Sequence, residues 1–147
     1  TDERFDLATL RMVAEHVRDP AGLVRTLSGL LDPGGLAVIY TINLVSPVSA
    51  VSWATPMWFH HAAKRVLWRT EERDTFPVAY KMNTHRALRR WFAQGGFDER
   101  YFTRLDDCRS FAGFKSLNLA ELSLWKVLHT AGVPYPENCL LGVYQKR

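Results

Sequence analysis

The stretches FDLATL at residues 5–10, DP at 19–20 and LAVIYTI at 36–42 decide the fold class of this chain of 147 residues. The first and last are short apolar runs, as expected for buried parallel strands. Asp19 is a good helix N-cap and Pro20 is tolerated at the first helical position. Apolar residues then follow at helical spacing, at Leu23, Val24, Leu27, Leu30 and Leu31. A strand, a helix and a strand with short connections predict the βαβ unit of an α/β fold.

The second half of the chain continues the alternation of helices and strands after an aromatic-rich stretch. In residues 45–80, Trp and Phe are frequent and lie between prolines. We expect short helices there that form a cap. The cap would be an insertion in a single domain of residues 1–147. A helix is predicted to begin at Asn83-Thr84 and to end at Gly95-Gly96. Strands are predicted at 97–105 and 139–146, and a helix between them at 117–131.

Composition and charge limit the classes of protein to which this chain can belong. The formal net charge is +4, but acidic residues are interspersed with the basic ones, so we expect no nucleic-acid partner. Cys108 and Cys139 fit no metal or redox spacing and are predicted to be free thiols in the cytoplasm. No run of 18 uncharged apolar residues occurs near either end, so no transmembrane segment is expected.

Short motifs follow one another along the chain in a fixed order. They are FDLAT at 5–9, VAEHVRDP at 13–20, LDPGG at 31–35, YKMNT at 80–84, GGF at 95–97 and the closing strand with Val143 and Lys146. Each motif is weak by itself, because FDL strands and PGG turns occur widely, whereas their order and intervals are specific. The set resembles the class I S-adenosylmethionine-dependent methyltransferases, in particular the bacterial small-molecule group of types 11 and 12.

The resemblance implies a Rossmann-like sheet of seven strands, of which this chain supplies strands four to seven. These match residues 5–10, 36–42, 97–105 and 139–146. The first three strands, with the family's glycine-rich turn and ribose-binding acidic residue, have no counterpart, and G-x-G-x-G occurs nowhere in the sequence. We therefore expect the amino-terminally truncated, carboxyl-terminal part of a methyltransferase. It would use S-adenosylmethionine, and it would form a dimer or bind a complementing amino-terminal segment.

The candidate cofactor-binding and catalytic residues follow the first strand, because ligands of open α/β sheets sit at the carboxyl ends of strands. Leu10, Arg11 and Met12 are predicted to face the cofactor. By resemblance, His16 is a candidate base and Glu15 a second catalytic residue. In ubiquinone-type O-methyltransferases and small-RNA 2′-O-methyltransferases, a Glu-x-x-Glu-His run here can bind a divalent ion. Met12 replaces the first Glu, so no metal is predicted. The alternative is that Glu15 and His16 only shape the turn by hydrogen bonding.

The candidate substrate-binding residues are predicted to line the acceptor side of the same edge. They are Asn43, Trp58, His61, Tyr80 and Asn83. Two structural alternatives remain open, a plain turn asparagine at Asn43 and a helix N-cap at Asn83.

The predicted function is methyl transfer from S-adenosylmethionine to a small-molecule acceptor, with oxygen the favoured atom. A methyl-transfer site mainly has to align the nucleophile and, for an alcohol or phenol, remove its proton. One alternative is a non-catalytic remnant or partner subunit without cofactor binding. The other is a membrane-surface module built on the aromatic cap.

Overall fold

The structure is a computed structural model that describes residues 3–46, 78–105, 115–133 and 137–147. Four strands and three α-helices account for most of these residues, with a short 3₁₀ helix after the first strand. In chain order they are β1 (Phe5–Arg11), the 3₁₀ helix (Ala14–His16), α1 (Pro20–Leu30), β2 (Leu31–Ile42), α2 (His85–Gln94), β3 (Phe97–Leu105), α3 (Lys115–Thr130) and β4 (Cys139–Lys146).

The four strands form one sheet in the order β1-β2-β4-β3. β1 and β2 are parallel neighbours, and β4 pairs antiparallel with both β2 and β3. The predicted parallel pair and the predicted antiparallel pair are therefore both confirmed. Because Cys139 is in register with Ile42 on one side and Leu105 on the other, β1, β2 and β3 all end at the same edge of the sheet.

Helix α1 begins as the sequence predicts. The Asp19 side chain accepts a hydrogen bond of 3.0 Å from the Gly22 amide, and Pro20 occupies the first turn. The strand that follows begins earlier than predicted, at Leu31 instead of Leu36. Leu31 pairs with Phe5 and Leu36 with Leu7, so residues 32–35 bulge out of the strand opposite a single residue of β1.

Helix α2 begins after Thr84, whose hydroxyl accepts a hydrogen bond of 3.1 Å from the Ala87 amide. The N-cap is therefore Thr84, and the alternative that placed it at Asn83 is wrong. Leu88 and Phe92 are fully buried, and the three arginines of the helix are exposed. The predicted end of the helix at Gly95 is confirmed.

Helices α1 and α2 cover the same face of the sheet. Their buried side chains join those of alternate residues of β2 and β4 in one cluster of buried residues, which includes Val24, Leu27, Ala37, Ile39, Leu88, Phe92 and Tyr144. The Phe92 and Tyr144 rings stack with centroids 4.0 Å apart. A Cβ at Gly142 would lie 2.7 Å from the Tyr144 ring, so this position of β4 has room only for glycine.

The opposite face of the sheet is largely open within the described residues, and this corrects the prediction that the first strand is buried. Phe5 is 48% exposed and Leu7 54%, and Tyr101 on β3 is 55% exposed. Of β1 only Leu10 is buried. The physical reason is that both packed helices lie on one face, and no described strand pairs with the outer edge of β1.

Candidate functional site

Three buried polar side chains meet where β1 and β2 end. The Thr41 hydroxyl donates to a Glu15 carboxylate oxygen at 2.6 Å. The Asn83 amide nitrogen lies 3.0 Å from the Thr41 hydroxyl and donates to the Ile42 carbonyl at 3.0 Å. Asn83 and Thr41 are fully buried and Glu15 is 5% exposed. Because a buried carboxylate is stable only when hydrogen-bonded or paired, Thr41 fixes the position of Glu15.

The segment before α2 crosses this edge of the sheet and is attached to the same residues. The amides of Ala79 and Tyr80 donate to the Glu15 carbonyl at 2.7 and 3.2 Å. Tyr80 has φ of 52°, in the left-handed region that few non-glycine residues adopt. Partial burial, and then the negative charge of Glu15, raise the pKa of Tyr80, so its phenol stays protonated at neutral pH.

Asn43 is the next residue after β2 and is almost completely buried. Its amide nitrogen donates to the Glu137 carbonyl at 2.8 Å, and its backbone N–H donates to the Asn138 carbonyl at 2.8 Å. Its side-chain oxygen accepts from the Val45 amide at 3.2 Å. Asn43 thus ties the end of β2 to the segment that leads into β4 and also forms a turn.

The three predicted cofactor-facing residues differ in exposure. Leu10 belongs to the core, Arg11 is exposed and Met12 is 37% exposed. Met12 turns the chain with φ of 53°, and its amide donates to the Tyr40 carbonyl at 2.8 Å. Arg11 and Met12 therefore present side chains at the end of β1. They can contact only part of a cofactor as large as S-adenosylmethionine, and the sequence has no glycine-rich turn for the rest.

The 3₁₀ helix places Glu15 and His16 differently. Glu15 points into the buried hydrogen-bonded set, and His16, at the end of the helix, is half-buried.

Within the described ranges, no three His, Cys, Asp or Glu side chains are grouped as metal ligands would be. Nor does any helix in those ranges have the length and apolar character needed to cross a bilayer.

The structure brings together some of the predicted site residues and adds one. Glu15, Tyr80 and Asn83 lie together at the ends of β1 and β2, whereas Trp58 and His61, with most of the predicted cap, lie outside the described residues. Thr41 lies at the predicted functional edge but was not named among the catalytic, cofactor-binding or substrate-binding residues, although it links Glu15 to Asn83. A polar residue near the end of an otherwise apolar strand, LAVIYTI, was the available signal.

Comparison with known proteins gives a consistent result. Residues 1–100 match the model of a protein family described as "Methyltransferase domain". The ubiquinone biosynthesis O-methyltransferase of Aeromonas salmonicida is 42% identical over 43 residues, which are 29% of this chain and 18% of that protein.

Solved structures match nearly the whole chain. An S-adenosylmethionine-dependent methyltransferase of Mesorhizobium loti superposes with a TM-score of 0.54 and 19% identity, over 99% of this chain and 63% of that one. A methyltransferase of Haloferax volcanii, solved in complex with the activator Trm112, gives a TM-score of 0.58 and 14% identity over 98% of this chain and 54% of that one. The chain thus spans less than two thirds of each of these two structures.

Proposed function

Because this chain belongs to the methyltransferase domain family, we propose that it forms the acceptor-side part of a catalytic domain that transfers a methyl group from S-adenosylmethionine to an oxygen atom of a small molecule. The observation that carries the proposal is the buried set of Glu15, Thr41 and Asn83 at the carboxyl ends of two parallel strands. Open α/β sheets bind their ligands at this edge. The oxygen acceptor is supported by the similarity to the Aeromonas relative, an O-methyltransferase.

The proposed roles follow from exposure and hydrogen bonding. S-adenosylmethionine, when bound, would supply the activated methyl group. Met12 and Arg11, which are exposed at the end of β1, would contact part of it. His16 would accept the proton of the acceptor hydroxyl, since histidine is the side chain most often used as a general base. Glu15 would act as a positioning residue that holds the 3₁₀ helix against the end of β2.

Cofactor binding is the first test. We expect the 147-residue chain alone to bind S-adenosylhomocysteine weakly, because its sequence lacks the glycine-rich turn and the ribose-binding acidic residue of the family. Each lost contact contributes about 1–3 kcal/mol, and each 1.4 kcal/mol is about tenfold in the dissociation constant. Calorimetry should be run on this chain and on the same chain extended in frame upstream of Thr1. Micromolar binding by the shorter chain would contradict the expectation. No binding by either would favour the alternative, a non-catalytic partner subunit.

The role of His16 is tested by methyl transfer from labelled S-adenosylmethionine to a panel of phenols and alcohols with the extended chain. The wild-type rate should rise with pH as the general base loses its proton. His16→Asn should lower kcat by about 100-fold or more and remove that rise. An unchanged pH profile in the variant would exclude His16 as the base.

We propose the cytoplasm as the compartment, since the two cysteines of the sequence, Cys108 and Cys139, fit no metal or redox spacing. The Haloferax neighbour is a methyltransferase in complex with an activator protein, which supports a protein partner for the open side of the sheet. We expect that partner to be a complementing amino-terminal segment or a second copy of this chain.

A further inference from the structure

A cavity of about 380 Å³ opens at the end of β3, beside the carboxyl-terminal half of α3. It is lined by three consecutive residues of β3, by residues of α3 and the segment after it, and by the residue two positions before β4. The lining residues are Phe102, Thr103, Arg104, Trp125, His129, Val133 and Glu137. Its volume lies within the range of small-molecule sites, about 300–1,000 Å³, and of these residues only Glu137 contacts the site described above, through its carbonyl.

The aromatic part of the lining comes from α3 and from β3. On α3, Trp125 and His129 stack with their ring centroids 5.0 Å apart and an angle of 10° between the planes. On β3, the Phe102 ring stacks on His85 at 3.7 Å, and the His85 ring nitrogen lies 3.0 Å from both carboxylate oxygens of Glu99. Planar side chains of this kind bind aromatic ligands by stacking.

The polar groups of the cavity define the chemistry of the ligand. Arg104 can only donate hydrogen bonds, and the oxygens of Glu137 can only accept them while its carboxyl group is ionised. The Thr103 hydroxyl can do both. Because the described part of the lining carries the positive Arg104 and the negative Glu137, a ligand with a net charge would meet a group of like charge. A neutral ring with hydroxyl groups, which both donate and accept, satisfies Arg104, Thr103 and Glu137.

The cavity reaches the edge of the sheet at which the proposed reaction takes place. Asn43, at the end of β2, donates to the carbonyl of Glu137, so the cavity and the end of β2 share a wall. β3 lies two strands from β2 in the sheet, a separation of about 10 Å at the usual strand spacing. A ligand held against β3 would therefore lie about 10 Å from the end of β2.

We propose that this cavity is the subsite for a neutral, hydroxylated aromatic ring of the methyl acceptor, stacked between Trp125 and Phe102 and hydrogen-bonded to Arg104 and Glu137. That the ligand is the methyl acceptor rests on the proposed function. The binding of such a ring by the chain does not, because it requires no cofactor. The ring held here is the part of the acceptor remote from the methylated oxygen, and the subsite sets specificity without taking part in the chemistry.

The test is a calorimetric titration of the purified 147-residue chain, without cofactor, with dihydroxynaphthalene as the probe. We expect saturable binding to one site. Trp125→Ala should weaken it by about tenfold or more, since stacking and burial of one ring are lost. Arg104→Gln should weaken it by about three- to tenfold through the loss of one charged donor. Naphthoate, the anionic analogue, should bind at least about fivefold more weakly than the neutral probe.

Two control variants test whether the probe binds in this cavity and not elsewhere on the chain. Arg100→Gln makes the same charge change on β3 outside the cavity lining, and Trp91→Ala removes a tryptophan from the separate groove between α1 and α2. Both should bind the probe as the wild type does. The proposal is overturned if the wild type shows no binding, if Trp125→Ala and Arg104→Gln bind normally, or if naphthoate binds as tightly. None of these results depends on whether S-adenosylmethionine binds, so they leave the proposed methyl transfer to its own test.

Discussion

At the scale of single residues, Thr41 occupies the central position of the site. It donates to the Glu15 carboxylate and contacts the Asn83 amide, and all three side chains are buried. Removing the hydroxyl would leave a buried carboxylate oxygen without its donor, and burial of an unsatisfied polar group is much less favourable than the loss of an exposed hydrogen bond.

Thr41→Val tests this arrangement. The substitution keeps the shape of the side chain and its preference for strands, but it should lower the free energy of unfolding by about 1–3 kcal/mol. Thr9→Val on β1, where the side chain is exposed, is the matched control and should change it by less than about 0.5 kcal/mol. Urea unfolding measures both. Equal effects of the two substitutions would show that Thr41 does not hold Glu15 and Asn83 in place.

At the scale of elements, α2 is attached to β3 and β4 by aromatic contacts. Phe92 stacks on Tyr144 and meets Phe97 edge to face at 5.4 Å, and His85 pairs with Glu99. Burial, and then the nearby Glu99 carboxylate, strongly raise the pKa of Tyr144. The phenol is therefore protonated in the folded protein at pH values at which it would ionise in the unfolded chain.

Tyr144→Phe should change the dependence of stability on alkaline pH. The stabilisation that comes from the raised pKa of Tyr144 is complete below the ordinary tyrosine value of 10.0 and is lost as the pH rises above it. The loss is about 1.4 kcal/mol per pH unit in the wild type, and the Phe variant should lack this contribution. Tyr101→Phe, at a position 55% exposed, is the control and should keep the wild-type slope. Urea unfolding between about pH 9 and 11.5 measures how the free energy of unfolding changes with pH. Identical slopes for the wild type and both variants would contradict the prediction.

At the scale of the whole molecule, the sheet has one covered face and one open side. Helices α1 and α2 pack on the same face, and the outer edge of β1 has no described partner strand. β1 contains neither Lys nor Pro, which commonly protect edge strands from pairing with other chains. Exposed apolar residues on such a strand favour association.

We expect the purified 147-residue chain to dimerise or aggregate through the outer edge of β1. Leu7→Lys places a charge on that strand and should increase the monomer fraction. Tyr101→Lys makes a comparable change on β3, at the other edge of the sheet, and should leave the association intact. Sedimentation velocity at several concentrations measures the monomer fraction of the wild type and of both variants. A stable wild-type monomer at high concentration would show that the edge of β1 is protected.

The sequence by itself determined the order, direction and type of the described strands and α-helices. Signals for these features are local, such as Asp19-Pro20 at the start of α1, the glycines after α2 and the apolar runs of β1 and β2. Because connections in α/β folds follow simple rules, a parallel β1–β2 pair could be predicted from the strand-helix-strand pattern. Glu15, Tyr80 and Asn83 were also predicted as site residues, through their places in motifs.

Only the tertiary structure decided which groups meet and which faces are covered. Thr41 lies 26 residues from Glu15 and 42 from Asn83 in the sequence, and their hydrogen bonds depend on how the chain returns over the ends of β1 and β2. The same holds for the cavity at β3, whose walls come from three separate segments. The exposure of β1 contradicted an apolar pattern typical of buried strands, because periodicity records which side chains are apolar and not whether another layer covers them.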